Sequence, residues 1–520
     1  MTDSTRRPGF SRRDLLAGLG AAAAGTIAAG AGALPAASVS SWDMSTDVLV
    51  AGSGAAGASA AIEARRAGAE VLVIESLPRF GGSSAMSAGV VYAGGGTALQ
   101  RALGVEDSVE DMFRFISGAG GAHPPLDKIR LYCEQSSAHF DWLVEQGVPY
   151  APQLAGAMTV PMAGESLYFS GCELAWPARE LARPAPRGHV PVAAGMTGGR
   201  VLMEALLARV KALGATLQAD VAGQRLVVAG DGRVLGMEVT VAGERRTIRA
   251  RRGIVLASGG FIHNREMVRK YAPELYDCAV PWGNVGDQGM GINMGIAVGA
   301  AALRMHQGFA IVPMYPPESV LSGIVVNAVG QRFVAEDTYY GVLGDAIAYH
   351  QQGRAWLVTD QRSKPPALQD NFVQVAQGNT IGDLADQLGF PKGALQETVA
   401  YYNRHALNGE DPLFRKRPGL LRPVQGPPYR AWDLSVKNSF VPAHTFGGLQ
   451  TGLDGEVINS FGEVIPGLYA AGRNSAGLPG APYIASGLSV GDATFFGRRA
   501  GLAAAGPQAG KKAAAGGRAL

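Results

Sequence analysis

Cysteine is scarce, with three residues, Cys133, Cys172 and Cys278, in a chain of 520. They lie far apart and no Cys-x-x-Cys occurs, which excludes a zinc or dithiol redox signature and leaves three isolated thiols. Charge is also sparse. Charged residues make up 17% and hydrophobic residues 47%, a globular balance rather than a disordered one. A basic excess is missing from the body of the chain. Residues 1–38 carry Arg6, Arg7, Arg12 and Arg13 against Asp3 and Asp14, and the tail carries Lys511, Lys512 and Arg518 without an acid. Without these ends, 39 basic and 41 acidic residues remain, a net charge of −2, so nucleic-acid binding has little support. No internal repeat is evident, and no segment reads as a stable membrane anchor.

Glycine is what the chain has in excess. Its 73 glycines are about twice ordinary usage. They sit in separate short clusters, which suggests tight backbone turns around a ligand. The length suffices for two or three domains.

Near the start, Phe10-Ser-Arg-Arg-Asp-Leu-Leu16 precedes an Ala/Gly-rich run from Ala17 to Ala37. Its hydrophobicity is modest. Paired arginines ahead of such a run resemble a twin-arginine export signal, with Ala31-Gly-Ala33 and Pro35-Ala-Ala37 as alternative cleavage sites. The expected location is the periplasm or cell envelope; a plain basic leader on a cytoplasmic protein is the alternative.

Asp47-Val-Leu-Val-Ala-Gly-Ser-Gly-Ala-Ala-Gly57 is an apolar run feeding a glycine turn. A helical pattern follows from Ala58 to Ala67, then a second apolar run, Glu70-Val-Leu-Val-Ile-Glu75. Gly52, Gly54 and Gly57 spell GxGxxG in the strand–turn–helix setting that gives the motif meaning. The first glycine permits the turn, the second admits a pyrophosphate to the backbone, and the third lets helix and strand pack. The helix N-terminus offers free N–H groups to the phosphate. Glu75 ends the second strand, where a carboxylate can take ribose hydroxyls. No second GxGxxG follows for a nicotinamide nucleotide.

Further glycine clusters stand in Arg79-Phe-Gly-Gly-Ser-Ser-Ala-Met-Ser-Ala-Gly89, Gly253-Ile-Val-Leu-Ala-Ser-Gly-Gly-Phe-Ile-His-Asn264 and Ile465-Pro-Gly-Leu-Tyr-Ala-Ala-Gly-Arg473. Together these stretches resemble the flavoprotein family of fumarate reductases, succinate dehydrogenase flavoprotein subunits and 3-ketosteroid dehydrogenases, over about residues 46–500. The resemblance implies an α/β fold: a Rossmann-like FAD-binding domain, residues 45–282 and 430–503, with an inserted α+β cap domain, residues 283–429. Residues 1–38 form the signal segment and 504–520 a disordered tail. Within the first domain, Gly198–Gly214 reads as a helix, Ala215–Val221 as a strand and Arg225–Val241 as a hairpin with Gly-Asp-Gly at its tip; Asp287–Gly295 opens another helix.

The resemblance implies FAD. Gly52, Gly54, Ala55, Ala56, Gly57 and Glu75 would hold it, with Ser76, Gly82, Ser83 and Ser84 from the second cluster. Gly259, Asp287, Gly472 and Ser489 complete the set. Some relatives attach FAD through a histidine after the second strand. None occurs from Ser76 to Ala122, so non-covalent FAD is implied.

Two positions separate the members of the family. Gly330-Gln-Arg-Phe-Val-Ala-Glu-Asp-Thr-Tyr-Tyr-Gly341 resembles a hallmark in which fumarate reductases place a proton-donating arginine four residues past the glutamate. Here that residue is Tyr340, and ketosteroid dehydrogenases carry a catalytic tyrosine there. The carboxylate-binding arginine of fumarate reductases falls at Ile484. A dicarboxylate in a dry cleft without either cation would be several kcal/mol short of compensation. The ketosteroid 1-dehydrogenase pattern places a ketone-binding tyrosine at Tyr483 and a backbone donor at Gly487, with Ser486 beside it. Val91–Gln100 and Gly472–Gly477 look like the 4-(5α)-dehydrogenases. His444 matches a substrate-side histidine of fumarate reductases and reads as a flavin-proximal structural residue.

The expected activity is desaturation beside a ring ketone of an apolar, steroid-like substrate. Tyr483 and Gly487 polarise the carbonyl, Tyr340 with Tyr339 takes the α-proton, and an unidentified acceptor takes the electrons. An enoate reductase and an exported flavin electron carrier are the alternatives. No metal is expected.

Overall fold

The run Val48–Ala51 has no polar face to turn to water, so a strand there must be covered on both sides. The computed structural model, which describes residues 32–156, 164–193, 196–314, 318–362 and 373–506, places it in such a layer. The twin-arginine stretch and the tail beyond residue 506 lie outside the described residues. Leu34 and Pro35, at the end of the segment assigned to the leader, pair with Val227 and Val228 at the sheet edge.

The strand β1 is Met44–Ala51, the helix α1 Ala55–Arg66 and the strand β2 Val71–Ile74. The helix starts three residues before the sequence pattern suggested, because Gly57 belongs to its first turn rather than to the loop. Next come α2 (Gly82–Met86), α3 (Gly198–Ala212), β3 (Thr216–Gln218), β4 (Val221–Val228), β5 (Val234–Val241) and β6 (Glu244–Leu256). The expected single strand over Ala215–Val221 is divided. Asp220 adopts a φ of +57°, and the chain leaves β3 for β4 at the far side of the sheet. The sheet runs β4-β5-β6-β1-β2-β3, parallel from β6 to β3 and antiparallel through the β4–β5–β6 meander.

The chain continues through α4 (Met290–Ala297), β7 (Gly308–Ala310), β8 (Ile324–Val326), α5 (Tyr340–Asp345), β9 (Trp356–Thr359), β10 (Gln374–Gly378), α6 (Ile381–Leu388), α7 (Ala394–Ala406), β11 (Tyr429–Asp433), β12 (Pro442–Thr445), β13 (Val464–Ala470) and α8 (Leu488–Ala505). Strands β8-β9-β11-β10 form a separate antiparallel sheet, the cap. Its alternation is regular. Ile324, Val326, Trp356 and Val358 pack under α6 and α7 with Leu384, Leu395 and Val399. Val325 and Leu357 point the other way, into the core shared with the main sheet. The last cap strand, β11, reaches Asp433, beyond the sequence boundary at 429. Helix α4, beyond the boundary at 283, buries Ile292 and Met294 beneath the main sheet.

One face of the main sheet carries α1, α3 and α8. Val48 and Val50 belong to this core, Leu49 and Ala51 to the opposite one. The approach of α8 to α1 is close: a Cβ at Gly497 or Gly501 would collide with the carbonyls of Ala56 and Ala60. Small residues four apart on both helices permit the contact. It sets the height of the α8 N-terminus against the glycine turn. β13 pairs with β6 and leads into the loop that ends at α8.

Candidate active site

The glycine turn divides its labour. Gly52 has a φ of +109°, and a side chain there would strike the Ala257 carbonyl just past β6. A Cβ at Gly57 would overlap the Gly52 carbonyl. Gly54 is different: its nearest neighbour is Ser84 Oγ at 3.5 Å, so a ligand can approach its backbone. Ser84 Oγ accepts from the Ala55 N–H (3.1 Å), and a Cβ at Gly472 would stand 3.0 Å from the Ala56 methyl group. Glu75 is organised from within. Its Oε2 accepts from Ser53 N–H and O–H at 3.1 and 2.6 Å, and its Oε1 from Leu77 N–H and the exposed Ser76 hydroxyl.

From there a chain of contacts leads toward α8. Gly82 stands at the start of α2, and Ser83 Oγ donates to Asp287 Oδ2 (2.8 Å). Asp287 also receives Arg473 Nη2 (2.7 Å). A side chain at Gly259 would collide with Asp287, so the close approach of that carboxylate, rather than of a ligand, requires glycine there. Beyond Arg473 lie His444 and Tyr483. Three buried polar atoms along this path have no protein partner: Arg473 Nη1, His444 Nε2 and Ser489 Oγ. Buried polar atoms of this kind demand partners. An open Gly54 at one end and orphaned donors and acceptors at the other suit a long polar ligand such as FAD. Gly52, Gly54, Ala55, Ser83, Ser84, Arg473 and Ser489 would hold it.

Three tyrosines meet at the α8 end. Tyr339 Oη and Tyr340 Oη both share a hydrogen bond with Ser486 Oγ, at 2.6 and 3.1 Å. Their rings meet at a 40° tilt with centroids 4.2 Å apart. Tyr339 is buried, with burial and then Tyr340 and Tyr483 raising its pKa well above the ordinary value; Tyr340 is half-buried. Tyr483 sits in an aromatic box of Phe309, Phe446 and His444, with centroids at 4.5, 5.0 and 6.3 Å. The Ser489 N–H, in the first turn of α8, donates to Tyr483 Oη (3.1 Å). Burial pushes the Tyr483 phenol up to about 12, while the nearby Ser489 side chain and the Ser489 and Gly487 N–H groups pull against it. A phenol that accepts from a helix N-terminus keeps its own proton to donate and donates it more strongly. Burial and the nearby Arg473 hold His444 neutral, its pKa well below the ordinary value.

The segment Ile484–Gly487 is clamped from outside. Ser170 and Ser486 exchange two bonds: Ser486 N–H to Ser170 O (2.8 Å) and Ser170 Oγ–H to Ser486 O (2.9 Å). Cys172 N–H donates to Ile484 O (2.9 Å), and Tyr92 N–H to Gly487 O (3.1 Å). Gly487 has a φ of +101°, and a Cβ there would stand 2.6 Å from Tyr92 N. Behind the clamp is Glu173, which accepts from Tyr92 Oη (3.0 Å) and from Gly171 N–H (2.8 Å).

The loop that leads to the paired tyrosines carries a buried ion cluster. Arg332 binds Glu336 through Nε (2.9 Å) and Nη2 (2.7 Å) and also reaches both Asp411 oxygens. Lys416 stands 3.3 Å from Glu336, and Val325 N–H donates to it. Burial opposes ionisation of Glu336, yet Arg332 and Lys416 outweigh it and lower its pKa. The glutamate of the sequence hallmark is therefore an anchor for the loop that presents Tyr339 and Tyr340.

The structure brings together every catalytic candidate: Tyr339, Tyr340, Tyr483, Ser486 and Gly487. Ile484, at the fumarate-reductase arginine position, is buried and lines a small cavity with Ile116, Ile129 and Pro482. Sequence reasoning did not find Phe309, Phe446, Ser170 or Glu173; no local motif marks them.

An open glycine turn, an inserted cap and a polar path between them define a flavin-dependent oxidoreductase. The chain matches the family described as FAD binding domain over residues 47–487 and belongs to it. It is 32% identical to the 3-oxo-5-alpha-steroid 4-dehydrogenase of Comamonas testosteroni, over 83% of this chain and 93% of that one. A solved structure, the 3-ketosteroid-delta4-(5alpha)-dehydrogenase of Rhodococcus jostii RHA1 in complex with 4-androstene-3,17-dione, superposes with a TM-score of 0.85 at 39% identity, covering 91% of this chain and 99% of that one. The fumarate reductase (cytochrome) of Shewanella frigidimarina is 29% identical over 88% of this chain and 77% of its own length.

Proposed function

We propose that this protein is a 3-oxosteroid dehydrogenase that introduces a double bond α,β to the ring ketone, at the 4,5 position of a 5α-steroid. The observation that carries the reading is the convergence of Tyr339 and Tyr340 on Ser486 Oγ beside Tyr483, whose phenol rests on the α8 N-terminus. Both steroid-acting relatives named above act at that bond, which supports the choice of position.

Tyr483 donates its hydroxyl proton to the ketone oxygen, and the N-terminal turn of α8 stabilises the negative charge that develops there. The carbon beside a polarised carbonyl becomes acidic. Tyr340 Oη, as the phenolate, takes the α-proton, and the Ser486 hydroxyl, which also bonds Tyr339, stabilises that oxygen by donating to it. FAD, which Gly52, Gly54, Ser83, Ser84, Arg473 and Ser489 would hold without a covalent bond, would supply the two-electron acceptor for the β-carbon hydride. The apolar walls Phe309 and Phe446 suit a hydrocarbon ring system and keep water from the enolate. An acceptor outside the chain collects the electrons.

Anaerobic titration tests the reading. A 3-oxo-5α-steroid should bleach the oxidised flavin absorbance of the holoprotein, and fumarate should not reoxidise the reduced form at a comparable rate. Tyr340→Phe should lower kcat by about 100-fold or more. A variant with full turnover, or a flavin that steroids leave oxidised, would overturn it.

We also propose that Phe10–Leu16 directs export by the twin-arginine route. Fusion of residues 1–38 to a reporter should place it outside the cytoplasm, and Arg12→Lys with Arg13→Lys should retain it there.

A further inference from the structure

The Tyr339–Tyr340 pair and Tyr483 come from segments about 140 residues apart, one in the cap and one before α8. Proton removal and ketone polarisation must act on adjacent atoms of one substrate, so the distance between these phenols has to be held closely. Besides the bonds of both tyrosines to Ser486, a further side chain connects the two segments through the backbone. Asp345 is the last residue of α5, whose first residue is Tyr340. Its Oδ2 accepts the Tyr483 backbone N–H at 2.6 Å. Its Oδ1 accepts the Ala310 N–H at 3.0 Å. Ala310 ends β7, which also carries Phe309, the ring packed on Tyr483. A single carboxylate thus ties three pieces of the site: the helix of the proton acceptor, the strand of the aromatic wall and the loop of the ketone donor.

The surface of α5 around Asp345 is shaped for the contact. Gly341 lies three residues before Gly344 and four before Asp345, the spacings that share a helical face. A Cβ at Gly341 would stand 2.8 Å from Tyr483 O, 2.7 Å from the Phe309 ring and 2.6 Å from the Tyr339 ring. A Cβ at Gly344 would collide with the Ala310 carbonyl. Two glycines and one acid let the helix lie flush on both partners.

The burial of Asp345 is costly. Its exposure is 2%, and its neighbours supply backbone N–H groups and no cation among the described residues. Burial holds its carboxyl well above the usual carboxylate range against the pull of those two N–H bonds. A hydrophobic residue would fill the space at less cost but could not bridge two backbone donors.

We propose that Asp345 is a positioning residue for this reaction, fixing the separation of Tyr340 and Tyr483 through its paired backbone bonds. The proposal rests on the reading of Tyr483 as the ketone donor. Asparagine at 345 retains one acceptor oxygen and turns an amide N–H toward the other backbone donor, so one of the two bonds is lost without change of size.

The test is a double-mutant cycle on the FAD-loaded protein, with a 3-oxo-5α-steroid and an artificial dye acceptor. Asp345→Asn should lower kcat by about 10- to 100-fold with KM changed less than about threefold and flavin content unchanged. In the Tyr483→Phe background the same substitution should cost less than about threefold, because the phenol it positions is gone. Equal losses in both backgrounds, or no loss in either, would overturn the proposal. A Tyr483→Phe variant with full turnover would remove the functional reading itself, a distinguishable outcome. Hydrogen exchange on the unmutated holoprotein decides the matter even where Asp345→Asn does not fold. The Tyr483 and Ala310 amides should both be protected, and exchange of either at the rate of an exposed loop would refute the clamp.

Discussion

Glu173 stands behind the clamp on Ile484–Gly487, and its burial makes it the part of the site whose pH response can be worked out most directly. It is buried to 1% exposure and accepts from Tyr92 Oη and Gly171 N–H. Burial pushes its carboxyl up to about 7, against the pull of Arg187 and of those two donors. The displacement from an ordinary glutamate, at about 4.3, to about 7 corresponds to between about 3 and 4 kcal/mol. Its sign follows from proton binding. Between those two values the folded chain holds a proton that the unfolded chain has released. The associated stability is complete below about pH 4.3 and is lost as pH rises through about 7. Roughly 2 kcal/mol of the loss falls between about pH 5.5 and about pH 8. Glu173→Gln is neutral throughout and removes the slope, while its amide oxygen still accepts from Gly171. The variant's Tm relative to wild type should therefore climb by about 2 °C across that range, given the unfolding entropy of a chain this long. Thermal unfolding of both holoproteins at a series of pH values, with FAD in excess, measures it. A Tm difference that stays level, or falls, as pH rises would refute the assignment of a high-pKa carboxyl to this position.

Other substitutions probe the scaffold. Gly57→Ala should yield little soluble flavin-loaded protein, since its methyl group would overlap the Gly52 carbonyl, a collision worth about 3 kcal/mol or more; flavin content after purification reads the outcome. Glu336→Ala leaves Arg332 and Lys416 buried with one carboxylate fewer and should destabilise the cap by about 3–5 kcal/mol, seen as a lower unfolding midpoint and faster proteolysis.

Much of the dinucleotide half was legible in the sequence because its determinants are local. An apolar run, three spaced glycines and a second apolar run within about thirty residues leave few arrangements other than strand, turn, helix and strand. The division of work among the glycines was legible only in part. Gly52 and Gly57 answer to backbone contacts, Gly259 to the Asp287 carboxylate, and Gly497 to the Ala56 carbonyl across a helix pair. Each of these looks alike in a sequence, since a missing side chain does not say what fills its place. The break at Asp220 was missed for a related reason: a left-handed residue inside an apolar run is a tertiary choice, made so that β4 can reach the opposite edge of the sheet.

The sequence by itself determined that the chain folds around a dinucleotide, that its body carries no excess charge, and that tyrosine and isoleucine occupy the places where a dicarboxylate reductase needs cations. The first two follow from residue type and spacing, the third from the resemblance to fumarate reductases. The tertiary structure decided how the site is held. Ser170 meets Ser486 across 316 residues, Asp345 meets Tyr483 across 138, and Glu173 meets Tyr92 across 81. Such contacts leave no periodicity and no motif, because a hydrogen bond depends on where two backbones pass and not on how far apart they lie along the chain.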